Sequence, residues 1–192
     1  MTVRGIILTM LLLPFGFGCD IFQTREPEQP TQNTSTFDQP ITPETVLRNF
    51  QYAIQEYNID NYMRCFVDPA FRSFDFISSQ EVRANFASVF DQWNLESERR
   101  YFQNLGTPVD GTPLLTFSSQ QIMSVSSDSV TYNMNYLLFF PHRKVNTPTV
   151  VQGNMQLSLK VDLQHRWSIY RWEDFKTTTD STWSILKAVL SG

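Results

Sequence analysis

The feature that most constrains this chain is a period-two alternation that takes over its second half. From Thr149 to Leu163, Val151, Met155, Leu157, Leu159, Val161 and Leu163 fall on one face, with Gly153 among them. Gln152, Asn154, Gln156, Ser158, Lys160 and Asp162 fall on the other. Successive strand side chains point to opposite faces, so this pattern predicts a strand with one dry side and one wetter side. The stretch Val130–Phe140 repeats it, with Val130, Tyr132, Met134, Tyr136, Leu138 and Phe140 on the apolar face and Thr131, Asn133 and Asn135 opposite. Leu114–Val125 is a further predicted strand, and Gln164-His165 is a predicted tight turn into a last strand, Trp167–Asp174. Long strands in sequence with one buried face predict an antiparallel sheet.

The preceding stretch has helical spacing. Thr42-Pro43-Glu44 combines an N-cap, a proline at the first helical position and an early acid. Val46, Leu47, Phe50, Ile54 and Tyr57 follow at helical intervals. Asn58 or Asp60 can cap a short helix carrying Tyr62, Met63, Cys65 and Phe66, closed by Asp68-Pro69. Phe71–Phe76 reads as a short extended piece. Ser78 and Glu81 have capping-box spacing ahead of Val82, Phe86, Val89, Phe90 and Trp93. Asn94 caps a charge-rich helix, Leu95–Leu105, stopped by Gly106. A final helix from about Ser181 places Trp183, Leu186, Val189 and Leu190 on one face. The expectation is an α+β domain: N-terminal helices on a curved antiparallel sheet of about four long strands, plus a short C-terminal helix.

The N-terminus reads as an address. Arg4 precedes an apolar run, Gly5–Phe17, too short to span a bilayer, and Gly16-Phe17-Gly18 is a small-x-small cleavage pattern. Gly16-Phe17-Gly18-Cys19 resembles the lipobox of bacterial lipoproteins, although that family usually has Leu where Gly16 stands. The resemblance implies cleavage before Cys19, acylation of its sulfur and attachment to a membrane of a bacterial cell envelope, inner or outer left open. Residues 20–41 are polar and hold three prolines, which suits a spacer rather than a core. The expected organisation is a signal peptide over 1–18, an acylated Cys19 with a flexible polar linker over 19–41, and a domain over 42–192.

Composition narrows the function classes. The net charge is −4 without a basic run, which argues against nucleic-acid binding. Two cysteines, Cys19 and Cys65, make neither a disulfide framework nor a zinc pattern. No Gly-rich phosphate loop, His-Glu-x-x-His, Cys-x-x-Cys or Gly-x-Ser-x-Gly is present, and no cofactor or metal is expected. His142 and His165 fall in predicted turns. Asp75, Asp91 and Asp174 read as solvated or capping carboxylates, and Cys65 as a buried, inert thiol. No residue is assigned a catalytic role.

Val46–Tyr57, Asn58-Ile-Asp-Asn-Tyr62, Cys65-Phe66 and Trp167–Asp174, in this order of elements, resemble the cone-shaped domains of the nuclear transport factor 2-like superfamily (SnoaL and ketosteroid-isomerase-like proteins), over roughly residues 42–176. That superfamily holds isomerases, dehydratases and hydrolases, and binding modules without chemistry, so the fold alone does not choose. Sixteen Phe, seven Tyr and four Trp either fill a core or line an open cone. Candidate pocket-lining residues are Phe50, Phe90, Trp93, Tyr132 and Tyr136. The expected partners are the membrane, through the lipid, and a small apolar ligand or an envelope protein, with a homodimer through the sheet as a further candidate. The lipobox-like Cys19, the spacer and a domain without a recognisable catalytic set together point to a lipoprotein with a non-catalytic binding domain. The alternatives are a lipid-anchored isomerase or hydrolase using Tyr132 or Tyr136, and a purely structural lipoprotein.

Overall fold

The computed structural model describes residues 35–191; the signal peptide, Cys19 and most of the predicted linker lie outside them. Six helices and five strands follow one another: α1 (Pro43–Gln55), α2 (Ile59–Arg64), β1 (Asp75–Ile77), α3 (Gln80–Asn85), α4 (Ala87–Phe90), α5 (Leu95–Leu105), β2 (Leu114–Val125), β3 (Ser129–Phe139), β4 (Val150–Val161), β5 (Trp167–Phe175) and α6 (Trp183–Leu190). The helices pack against a curved, unclosed sheet in the order β1-β5-β4-β3-β2. The four long strands are antiparallel, and short β1 adds to β5 in parallel, Phe76 beside Trp172. This is the expected α+β layout, with β1 as an extra edge.

The caps at Thr42, Asn58 and Asn94 form as their sequences predict, each side chain accepting backbone N–H bonds of its helix. The predicted capping box at Ser78 does not form. Helix α3 starts one residue later, without a side-chain cap bond, and Ser78 Oγ is buried with no hydrogen-bond partner. The helix expected to run on to Trp93 is broken at Phe86, whose extended φ of −132° divides α3 from α4. Strand β4 stops at Val161 rather than Leu163, because Asp162 turns to accept backbone bonds from Gln164 and Arg166; Leu163 is left exposed.

Two backbone details set up the interior. The β4–β5 register slips between Ser158 and Leu159, so Ile169 and Trp172, three residues apart, both face inward while Tyr170 does not. Asp174 lies opposite Met155 and therefore also faces inward. Opposite Tyr136 stands Gly153. A Cβ there would come within 2.6 Å of the Phe175 carbonyl oxygen and 2.8 Å of the Tyr136 hydroxyl. Glycine at 153 is what lets the tyrosine ring lie across β4.

The domain also begins earlier than its first helix. Asp38 exchanges bonds with the Asn49 side chain in both directions, at 3.0 and 2.7 Å, and the Trp167 N–H donates to the Pro40 carbonyl at 2.7 Å. Phe37 packs on the core under the Arg64 guanidinium. Residues 35–41, read as spacer in the sequence, are laid along the domain.

Candidate functional site

The space between helices and sheet is filled, and α6 fills its centre. Trp183 and Lys187, one helical turn apart, point inward and are fully buried. At the start of α6, Tyr136 Oη donates to Asp174 Oδ1 at 2.7 Å and accepts the Trp183 N–H at 2.7 Å. Asp174 Oδ2 accepts from Ser184 N–H at 2.7 Å and Ser184 Oγ at 2.5 Å. The carboxylate thereby satisfies donors of the first turn, the role a capping side chain normally plays from within the chain. Burial raises the Asp174 pKa above the usual carboxylate value, against the pull of Ser184 and Tyr136. The same burial, with Asp174 alongside, raises that of the Tyr136 phenol well above its ordinary value.

One turn further, Lys187 Nζ lies 2.6 Å from Glu98 Oε2, with both side chains fully buried. Glu98 also accepts from Trp93 Nε1 at 2.7 Å and Tyr62 Oη at 2.6 Å. The ammonium sits 3.7 Å from the ring centroids of both Phe76 and Trp172, with Trp93 at 5.4 Å and Tyr101 at 5.6 Å. Burial depresses the Lys187 pKa to about 8, partly opposed by Glu98. The Trp183 indole donates to Tyr101 Oη at 2.8 Å.

The candidate pocket-lining residues distribute as follows. Phe50 is at the centre of the core, stacked on Tyr62 and Trp183. Phe90 packs against Phe76 and Trp93. Trp93 and Tyr136 belong to the polar cluster just described. Tyr132 lies apart, donating to Glu44 at 2.6 Å. Asp174, read as a solvated carboxylate, is buried on the face it shares with Trp172, because the start of α6 covers that end of the strand. Asp75 is an exposed partner of Arg171, and Asp91 is exposed. Cys65 is buried, with its thiol pKa pushed up by desolvation. Lys187 and Glu98 were not singled out in the sequence. The helical face predicted for α6 favours Val189, which is 40% exposed, over Lys187. Among the described residues, no three His, Cys, Asp or Glu side chains converge as metal ligands, and no helix is long and apolar enough to cross a membrane.

Among the described residues, two surface hollows stand out, and none of the five candidates lines either. The larger, about 940 Å³, runs between residues 37–40, α2, the start of α5 and the β4–β5 turn. Met63, Phe66, Phe74, Leu95 and Trp167 give it apolar lining, and charges of both signs stand around it, Arg99 paired with Asp60 and Arg166 with Asp162. The smaller, about 530 Å³, lies between α3 and the segment leading into α6.

Solved structures share this architecture. A Novosphingobium aromaticivorans protein named as a candidate scytalone dehydratase superposes with a TM-score of 0.55 at 15% identity, over 72% of this chain and 83% of its own. A nuclear transport factor 2-like superfamily protein from Salmonella enterica gives 0.53 at 9% identity, over 70% and 88%. A nuclear transport factor 2-like protein from Cytophaga hutchinsonii gives 0.51 at 10% identity, over 69% and 93%. The fold is the nuclear transport factor 2-like fold; identities this low carry nothing beyond it. No family model and no curated protein matches the chain significantly.

Proposed function

We propose that this chain is an exported lipoprotein of a bacterial envelope, held to a membrane by acylated Cys19, whose domain is a non-catalytic binding module. The observation that carries the second half is the occupied interior. Tyr136 and Asp174 could serve as a donor and base, but they spend their hydrogen bonds on α6, and neither surface hollow includes them. With α6 in place, binding falls to the outside, where the 940 Å³ groove offers apolar side chains and a charged rim suited to a protein segment.

The rival reading is a lipid-anchored isomerase or hydrolase. One observation favours it: a buried carboxyl of raised pKa in contact with a tyrosine, the kind of pair that acid–base chemistry uses.

A photo-crosslinking residue at Trp167, in cells carrying the full chain, tests the module. A discrete envelope adduct, lost when Phe74 is changed to Arg, is expected; no adduct removes the groove as the binding surface. The mass of the mature N-terminus tests the anchor. Acyl groups on Cys19, absent in Cys19→Ala, are expected, and an unmodified Cys19 overturns it.

A further inference from the structure

We propose that the interior of this domain is an alkylammonium-binding site, and that Lys187 is its resident, tethered occupant, displaced together with α6 when a primary-amine ligand enters. The proposal extends the reading of the domain as a binding module to a second place, distinct from the groove.

Four aromatic rings lie within cation–π range of one nitrogen, Phe76 and Trp172 face-on at 3.7 Å, and a carboxylate closes the remaining side at 2.6 Å. Ring faces are negative, so such a cage selects a cation, and more strongly once water is excluded. None of its walls belongs to α6. Phe76 comes from β1, Trp93 from the α4–α5 link, Glu98 and Tyr101 from α5, and Trp172 from β5. The walls are also held without the lysine. Trp93 and Tyr62 donate to Glu98, and Phe76 packs edge-on against Trp172 with centroids 5.4 Å apart. Glu98 and Asp174 are the buried acids among the described residues and Lys187 the buried base, so the interior favours positive charge.

The occupant is attached by a short lever. Helix α6 has eight residues and is joined to β5 by residues 176–182, of which 176–180 are exposed and the N-cap Thr182 is buried. That link is fastened at Gln152, whose N–H donates to the Ser181 carbonyl and whose side chain donates to Thr178. An amine that takes the cage must displace Lys187 Nζ, and the lysine leaves with its helix.

The test uses the full chain in two arms. In Lys187→Ala, verified as folded by circular dichroism, n-butylammonium is expected to bind saturably and raise the melting temperature. 1-Butanol should bind at least tenfold more weakly, and Glu98→Gln added to Lys187→Ala should remove the preference. In the wild type, n-hexylammonium, and not hexanol or hexanoate, is expected to accelerate amide exchange across residues 183–190 at least tenfold while β3 and β4 stay protected. Equal binding of amine and alcohol to folded Lys187→Ala overturns the cage. Unchanged wild-type exchange at saturating amine overturns displacement, and decides the matter alone should Lys187→Ala not fold. Neither failure touches the Trp167 crosslink, so the two readings fall separately.

Discussion

At the scale of single residues, Lys187 sets the strongest expectations. A buried ion pair broken from one side leaves the other charge unpaired in a dry interior, which typically costs about 3–5 kcal/mol. Lys187→Met should lose that much in urea unfolding, and Glu98→Gln added to Lys187→Met should recover much of it. The pair also writes a pH signature. Folded Lys187 titrates near 8 and the unfolded side chain near 10.5. Between those values the unfolded chain holds more protons, so stability should rise with pH. Above about 10 the unfolded tyrosines ionise while buried Tyr62, Tyr101 and Tyr136 resist, so stability should fall again. Urea midpoints from pH 7 to 11 should show the rise in the wild type and not in Glu98→Gln/Lys187→Met. A flat wild-type profile would contradict a buried ammonium.

At the scale of elements, α6 is fastened at its first turn through Tyr136 and Asp174. Tyr136→Phe leaves the Trp183 N–H and one carboxylate oxygen without partners, a loss of about 1–3 kcal/mol. Amide exchange should localise that loss to residues 183–190. Gly153→Ala attacks the same joint from behind, since its methyl meets the Phe175 carbonyl, and should cost about 1–3 kcal/mol through strain. Most elements were legible in the sequence, because period and capping are local. Helix α1 with its Thr42 cap and strand β2 fall where spacing predicts. The interior was not legible. Glu98 and Lys187 stand 89 residues apart; each falls on its helix's apolar stripe, Glu98 with Tyr101, Phe102 and Leu105 and Lys187 with Trp183 and Leu190, but nothing local says that the two meet. Asp174 keeps the face of Trp172, two residues before it, but spacing does not say that α6 closes over that end of the strand and buries it; the extra residue in the β4–β5 pairing removes Tyr170 from that face instead. Phe86 breaks a helix whose apolar spacing runs on unbroken.

At the scale of the whole molecule, residues 35–41 move the start of the folded unit ahead of α1. A chain beginning at Thr42 loses the Asp38–Asn49 pair of bonds, the Pro40 acceptor and the Phe37 packing. It should be about 3 kcal/mol less stable than one beginning at Ser35, at about 1 kcal/mol for each of the three bonds, read from denaturant midpoints. If Cys19 carries the proposed acyl group, the fifteen residues 20–34 set an upper limit of about 50 Å on the distance from it to Ser35.

The placement of the four tryptophans makes the molecule its own optical probe. Trp183 is buried on α6 and Trp172 against it, with Trp93 buried nearby beside Lys187, and Trp167 stands half-buried in the outer groove. Indole emission moves to the red as water reaches the ring. Lifting α6 would therefore shift the blue edge of the spectrum, and covering the groove would remove part of the red edge. One unlabelled sample could report on both places in a single emission scan, each at its own wavelength.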